Sequence, residues 1–340
     1  MREHPGTDEA REAVAGARSV FDESNRMDDY LEWVQGMPSS GIRASELDSV
    51  AYMSAYDKFA QSQYSISFDA FVRYLKRFPD GYFATIAQFQ AAESARMTGQ
   101  MAQSLPYYQG VVSAPIGANT VSAYKWLLRD AEARKDWTEV KSHAERLIAL
   151  AEDASLRSEA SRAMMRAHYA EGNSDVALTY AEGILADQRE TPEVRSEALS
   201  LRMRLLEGKY RTLASDSIRL GAWLVAADQA IEDGFVAVQA EARYAKAQIL
   251  RIRGQFAASS EEVFALLDNY PSQTEWRYRA LLVLSRNYAS LNDGFQARYT
   301  LDFLISEHPS DELVQEAQAL LAEFNAAQLP SNAPQTNDAE

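Results

Sequence analysis

Hydrophobic side chains along this chain come in paired runs with internal spacings of three and four, and a polar break separates the two runs of each pair. Residues 48–79 show the unit: Tyr52, Ala55 and Phe59 share one helical face, Gln61 to Gln63 interrupt it, and Phe68, Phe71, Tyr74 and Leu75 resume it. Side chains three and four apart lie on one side of a 3.6-residue helix, so the pattern predicts two amphipathic helices per unit. Pro79, Pro271 and Pro309 each follow a second run. Proline has no N–H to donate and its ring clashes with the preceding turn, so it stops the helix there.

The unit recurs. Anchored on a small or apolar position in the second run, it falls at Tyr30, Ser67, Ser104, Val140, Ala177, Leu213, Ser259 and Ala297, with intervals of 37, 37, 36, 37, 36, 46 and 38 residues. Gly99, Gly172, Gly208 and Gly254 stand five residues before their anchors, where a helix end must turn left-handed and glycine does so without steric cost. Two residues after that position come Tyr64, Met101, Trp137, Tyr210 and Phe256. They open the second helices, and Tyr64, Trp137, Tyr210 and Phe256 are expected to be largely buried. The long interval is read as a lengthened second helix through residues 218–230. Alanines such as Ala55, Ala92 and Ala247 at the centre of first helices allow close helix approach. A fixed period of this length predicts an all-α, right-handed superhelical α-solenoid of about eight helical hairpins. It spans residues 1–325, with residues 311–325 as the capping helix. Residues 326–340 are Gln, Pro, Ser, Asn, Thr and Asp-rich and read as a disordered tail, because they bury too little apolar surface to offset ordering.

The pattern resembles the tetratricopeptide repeat (TPR). Ala247, Gly254, Phe256, Ser259 and Pro271 carry it in one unit, and Ala55, Tyr64, Ser67, Phe71 and Pro79 in another. The resemblance covers residues 8 to 325; Val140 and Leu213 depart from the usual alanine, and Asp293-Gly294 adds a residue. The chain also looks like the C-terminal part of long TPR proteins of Gram-negative envelopes, through residues 37–42, 48–51 and 292–297. That likeness implies a periplasmic or outer-membrane-associated parent acting in envelope assembly or secretion, with a cytoplasmic location as the alternative. The N-terminus enters almost at once into repeat-like sequence, as a segment cut from a longer array would.

Composition narrows the partners. The 340 residues carry a formal net charge of −15, and 46% of them are hydrophobic; the pI is near 4.9 and the mean hydropathy −0.36. A nucleic-acid reader needs a basic stripe against phosphates, so none is expected as a partner. No apolar run is long enough for a membrane span. With no cysteine, disulfides, thiolate nucleophiles and cysteine metal sites are all excluded.

Candidate chemistry is sparse. His4, His143, His168 and His308 are scattered, with no helical metal-site spacing. Asp28-Asp29 and Glu261-Glu262 stand at expected starts of second helices, where carboxylates favour the helix dipole. No phosphate loop or nucleophile elbow appears. The expectation is therefore a noncatalytic protein without cofactor or metal.

In TPR arrays the first helices line a concave groove, and by that resemblance Lys125, Arg129, Arg162, Arg166, Arg195, Arg202 and Arg251 fall on it, joined by Phe89, Tyr169 and Tyr244. Arginine forks suit carboxylates and aromatics give rigid apolar contact. These residues make a candidate partner-binding groove for a protein or peptide with an acidic or C-terminal carboxylate segment. Alternatively, the cations pair with Glu132, Glu159 and Glu241, which map to the same surface. Lys125 and Arg129 have the spacing of a carboxylate clamp, but its asparagine is missing, so a chaperone tail is not the expected ligand. The leading functional reading is an interaction scaffold. The alternative is a structural spacer or oligomerisation arm of an envelope complex.

Overall fold

The computed structural model describes residues 8–36, 43–210, 217–307 and 310–327, and among them it contains helices and no strand. Residues 37–42, Leu213, His308, Pro309 and the tail from 328 onward lie outside the described residues. The chain divides into two compact units, residues 1–163 and 164–340.

The first unit holds α1 (Asp8–Glu23), α2 (Met27–Gln35), α3 (Ala44–Ala60), α4 (Tyr64–Arg77), α5 (Ala84–Met97), α6 (Met101–Ser113), α7 (Thr120–Arg134), α8 (Trp137–Leu150) and the first part of α9 (Ala154–Ala170). The second holds the rest of α9, α10 (Ser174–Ala186), α11 (Pro192–Tyr210), α12 (Ser217–Asp233), α13 (Val236–Ile252), α14 (Phe256–Asn269), α15 (Thr274–Ser290), α16 (Gly294–Ser306) and α17 (Asp311–Ala326). Consecutive helices pair as hairpins, and first helices also touch the next first helix, as α3 does α5, α11 does α13 and α13 does α15. α17 packs on α15 and α16.

One turn conformation builds the repeat. Among the described residues, φ is positive at Asn25, Ser62, Gly99, Lys135, Gly172, Gly254 and Asn292, each five positions before a sequence anchor. The residue after each sends its N–H back five positions, as Gln100 does to Ala95 O at 2.8 Å and Asp293 to Tyr288 O at 2.9 Å. That bond satisfies a carbonyl the first helix leaves orphaned. The same residue's carbonyl then accepts the anchor's N–H, as Asp136 O does from Val140 N at 2.9 Å. The anchor therefore closes the first turn of the second helix. Its side chain points into the hairpin, and Tyr30, Ser67, Ser104, Val140, Ala177, Ser259 and Ala297 are at most 3% exposed. Nine residues after the left-handed position comes a second core site: Val34, Phe71, Tyr108, Ala144, Ala181, Val263 and Leu301, all buried.

Several expectations need correction. Gly208 is no turn: α11 runs on to Tyr210, which therefore ends a first helix and opens no second one. α11 has 19 residues and α12 has 17, so the long interval lengthens both helices of that hairpin. Tyr64, Trp137 and Phe256 are half-buried. Each is the first residue of its helix, at the turn end of the hairpin, two positions after the left-handed residue.

Candidate functional site

Counting back from the left-handed turn aligns the first helices and exposes a charge pattern. Six residues before the turn stand Arg129, Arg166 and Arg286; thirteen before it stand Glu159 and Glu241. Arginine and glutamate meet across successive first helices. Arg129 Nε and Nη2 donate to Glu159 Oε1 and Oε2 at 2.6 and 3.0 Å. Arg166 donates to Glu197 in the same forked way, at 2.5 and 2.7 Å. Arg204 makes a bidentate bond to Glu241, whose carboxylate also accepts from Ser200 Oγ at 3.0 Å. Arg286 Nη2 reaches Glu316 Oε1 at 3.1 Å. Glu197 and Arg204 lie seven apart, as the two ladder positions do elsewhere, so α11 keeps the register if its turn is counted at Tyr210. Met203 then takes the central first-helix site held by Ala55, Ala92 and Ala247, and it is fully buried as they are.

The ladder separates the candidate residues. Arg129 and Arg166 are ladder members, so their forks are occupied, and hydrogen bonding to Glu159 raises the Arg129 pKa. Arg195 Nη1 donates to Leu185 O at 3.0 Å and Asp187 O at 3.2 Å, at the end of α10. Arg202 donates to Gln229 Oε1 at 2.7 Å, and burial lowers its pKa. Arg162 is half-buried and engaged by its neighbours. Glu241, read as a possible partner of the candidate cations, is held by Arg204 instead.

Of the candidate cations, Lys125 and Arg251 make neither a hydrogen bond nor an ion pair among the described residues. Lys125 Nζ sits 5.4 Å from the Trp126 ring centroid. Arg96 and Arg129 lie over the same ring at 4.4 and 5.1 Å. Arg96 is held by Glu93 at 2.6 Å, and Glu93 accepts the Tyr108 hydroxyl at 2.5 Å. Phe89 packs against Tyr108 with centroids 6.2 Å apart. Phe89, Lys125 and Arg129 therefore belong to one aromatic and cationic cluster on α5 and α7 in the first unit. In the second unit, Arg251 is half-buried, and its pKa is lowered by desolvation and then by Arg286. Tyr244, on the same helix, meets Trp276 with centroids 5.4 Å apart. Tyr169 borders an open cleft with Ser174, Arg204 and Leu205.

Trp126, Arg96, Arg204 and Arg286 escaped the sequence reading. The seven-residue Glu-to-Arg spacing shared by Glu159–Arg166 and Glu197–Arg204 would have found Arg204. Among the described residues there is no group of three or more His, Asp or Glu that could hold a metal ion, and no helix long and apolar enough to cross a membrane.

No family model and no curated protein matches the chain. Among solved structures it is similar to a tetratricopeptide repeat protein from Parabacteroides merdae, at 9% identity and a TM-score of 0.37, covering 81% of this chain and 98% of that one. It is also similar to the TPR domain of P58(IPK), at 13% identity and a TM-score of 0.29, covering 85% and 94%. A third is the Naa15/Naa10 complex bound to HypK-THB, at 11% identity and a TM-score of 0.29, covering 96% and 69%. The helical-hairpin repeat itself rests on the chain's own recurring turns.

Proposed function

We propose that this chain is a noncatalytic scaffold whose first-helix faces dock an acidic segment of a partner protein. One observation carries the reading: Lys125 and Arg251 stay without an acidic partner beside exposed or half-buried aromatics, while the cations around them are neutralised. A preformed surface limits the ordering entropy that a docking peptide must overcome, and an unneutralised arginine fork favours a carboxylate. An envelope location belongs to the same proposal and is tested by fractionating cells that express the native gene.

The Arg–Glu ladder favours a second reading, a structural spacer, because it ties first helices together along the array. Calorimetric titration with an amidated hexaglutamate peptide separates the two. The scaffold reading expects binding that weakens as salt rises from about 50 to about 200 mM, since screening lengths shorten over that range. It expects loss of binding when Lys125 and Arg251 are both changed to glutamate, and none when exposed Lys76 on α4 is changed. No heat of binding by the wild type would favour the spacer.

A further inference from the structure

Three aromatic side chains stand at i, i+4 and i+8 along α16: Phe295, Tyr299 and Phe303. That spacing puts them on one side of the helix, away from the buried Ala297, Leu301 and Leu304. Phe295 and Tyr299 stack with centroids 6.2 Å apart. Tyr299 and Phe303 are 62% and 45% exposed, although α17 also packs on α16. Isolated surface apolar residues are ordinary, but a row of them marks an interaction surface. The charges around the row have one sign. Asp302 and Glu307 flank Phe303 on α16 and its C-terminal cap, and on α14, which shares α15 with α16, Glu261 and Asp268 flank the exposed Phe264. These four acids are exposed, and their carboxylates make neither a hydrogen bond nor an ion pair among the described residues. α14 and α17 have no basic residue and α16 has one, Arg298, which is half-buried and engaged by its neighbours.

We propose that the outer face of α16 docks a cationic amphipathic helix of a partner protein. Its apolar side covers Phe295, Tyr299 and Phe303, and its lysines or arginines pair with Asp302 and Glu307. The charge of the face selects this occupant. A second copy would set the same acids against these, and anionic headgroups or nucleic-acid phosphates would be repelled. A basic helix with apolar residues three and four apart meets both features at once. The site lies on a second helix and is independent of the first-helix reading, which takes an acidic segment.

Fluorescence anisotropy with the full chain tests it. The probe is a labelled, amidated peptide of two LKKLLKL heptads, and amidated hexalysine, which has charge but no apolar side, is its control. The amphipathic peptide should bind the wild type, and the paired change Tyr299→Ser with Phe303→Ser should weaken it about tenfold. Asp302→Lys should weaken it about fivefold by setting like charges together. Glu145→Lys makes the same charge change at an exposed position of α8 and should alter affinity less than about twofold. Thermal unfolding of each variant checks the fold, and Asp302→Lys, at an exposed position, keeps the test open should the paired change not fold. No binding by the wild type, undiminished affinity in the folded α16 variants, or an equal loss in Glu145→Lys would overturn the site. Hexalysine binding as tightly as the amphipathic peptide would overturn the role of the aromatic row. Sedimentation velocity covers the other occupant: a wild-type dimer that the paired change dissolves would overturn the cationic partner in favour of a second copy.

Discussion

Arg166 and Glu197 form a fork-to-fork pair, with Nε to Oε1 at 2.5 Å and Nη2 to Oε2 at 2.7 Å, that ties α9 to α11. The pair reassigns Arg166 from a ligand-seeking cation to part of the array's own wiring. Charge reversal at Arg129 or Arg166 would strand Glu159 or Glu197, so such variants report on the array as well as on binding.

The ladder pairs should differ in worth. Arg129 is substantially exposed, and Arg129→Ala should cost about 0.2–1 kcal/mol, as exposed pairs do. The Glu241 side chain is 9% exposed. Arg204→Ala leaves that carboxylate with Ser200 alone and should cost about 1–3 kcal/mol. Urea denaturation of the two variants, each in a double-mutant cycle with its glutamate changed to glutamine, checks the order.

Gly172 has φ of +77°, and a Cβ added there would meet nothing within 4 Å. Gly172→Ala should therefore cost about 1–2 kcal/mol through backbone conformation alone. Lys135 occupies the matching position at φ +57°, and Lys135→Gly should relieve the same strain. Thermal melts of the two variants should shift in opposite directions.

These turns also explain what the sequence could and could not tell. The anchors were legible because the residue five before each takes one fixed conformation, whatever its side chain. Glycine is only the commonest occupant; Asn25, Ser62, Lys135 and Asn292 adopt the conformation too. Gly208 was misread because it sits inside α11, where no left-handed residue is needed. The candidate site was half legible. Offsets placed cations on the first helices, but whether a cation is free depends on an acid about 30 residues away on the next first helix. Arg129 and Lys125 look alike in sequence and differ in the structure through Glu159.

Gly81 is set by close approach. A Cβ there would lie 2.7 Å from the Tyr74 hydroxyl and 3.0 Å from Asp48 Oδ1. Tyr74 donates to that oxygen at 2.5 Å and Tyr82 N to Oδ2 at 2.8 Å, a buried contact joining α3 to α4. Gly81→Ala should cost about 1–3 kcal/mol by overpacking. Adding Tyr74→Phe, which removes the clashing hydroxyl, should recover part of it in chemical denaturation.

His143 is buried, and desolvation lowers its pKa. A histidine that protonates more readily unfolded than folded contributes stability that is complete above its unfolded pKa, about 6.5, and is lost as pH falls below it. Stability should fall between pH 7 and 5 with a slope of at most about 1.4 kcal/mol per pH unit from this group. His143→Gln should flatten that part of the curve. An unchanged slope in denaturation at several pH values would assign the effect elsewhere.

The central claim is that first-helix faces bind an acidic segment. Hydrogen exchange with and without amidated hexaglutamate reads it most directly, because protection reports which helices a ligand steadies. Slowed exchange should concentrate in the first helices α7, around Lys125, and α13, around Arg251, and disappear when both residues are changed to glutamate. Protection confined to the second helices α14 and α16, or no change anywhere, would contradict it.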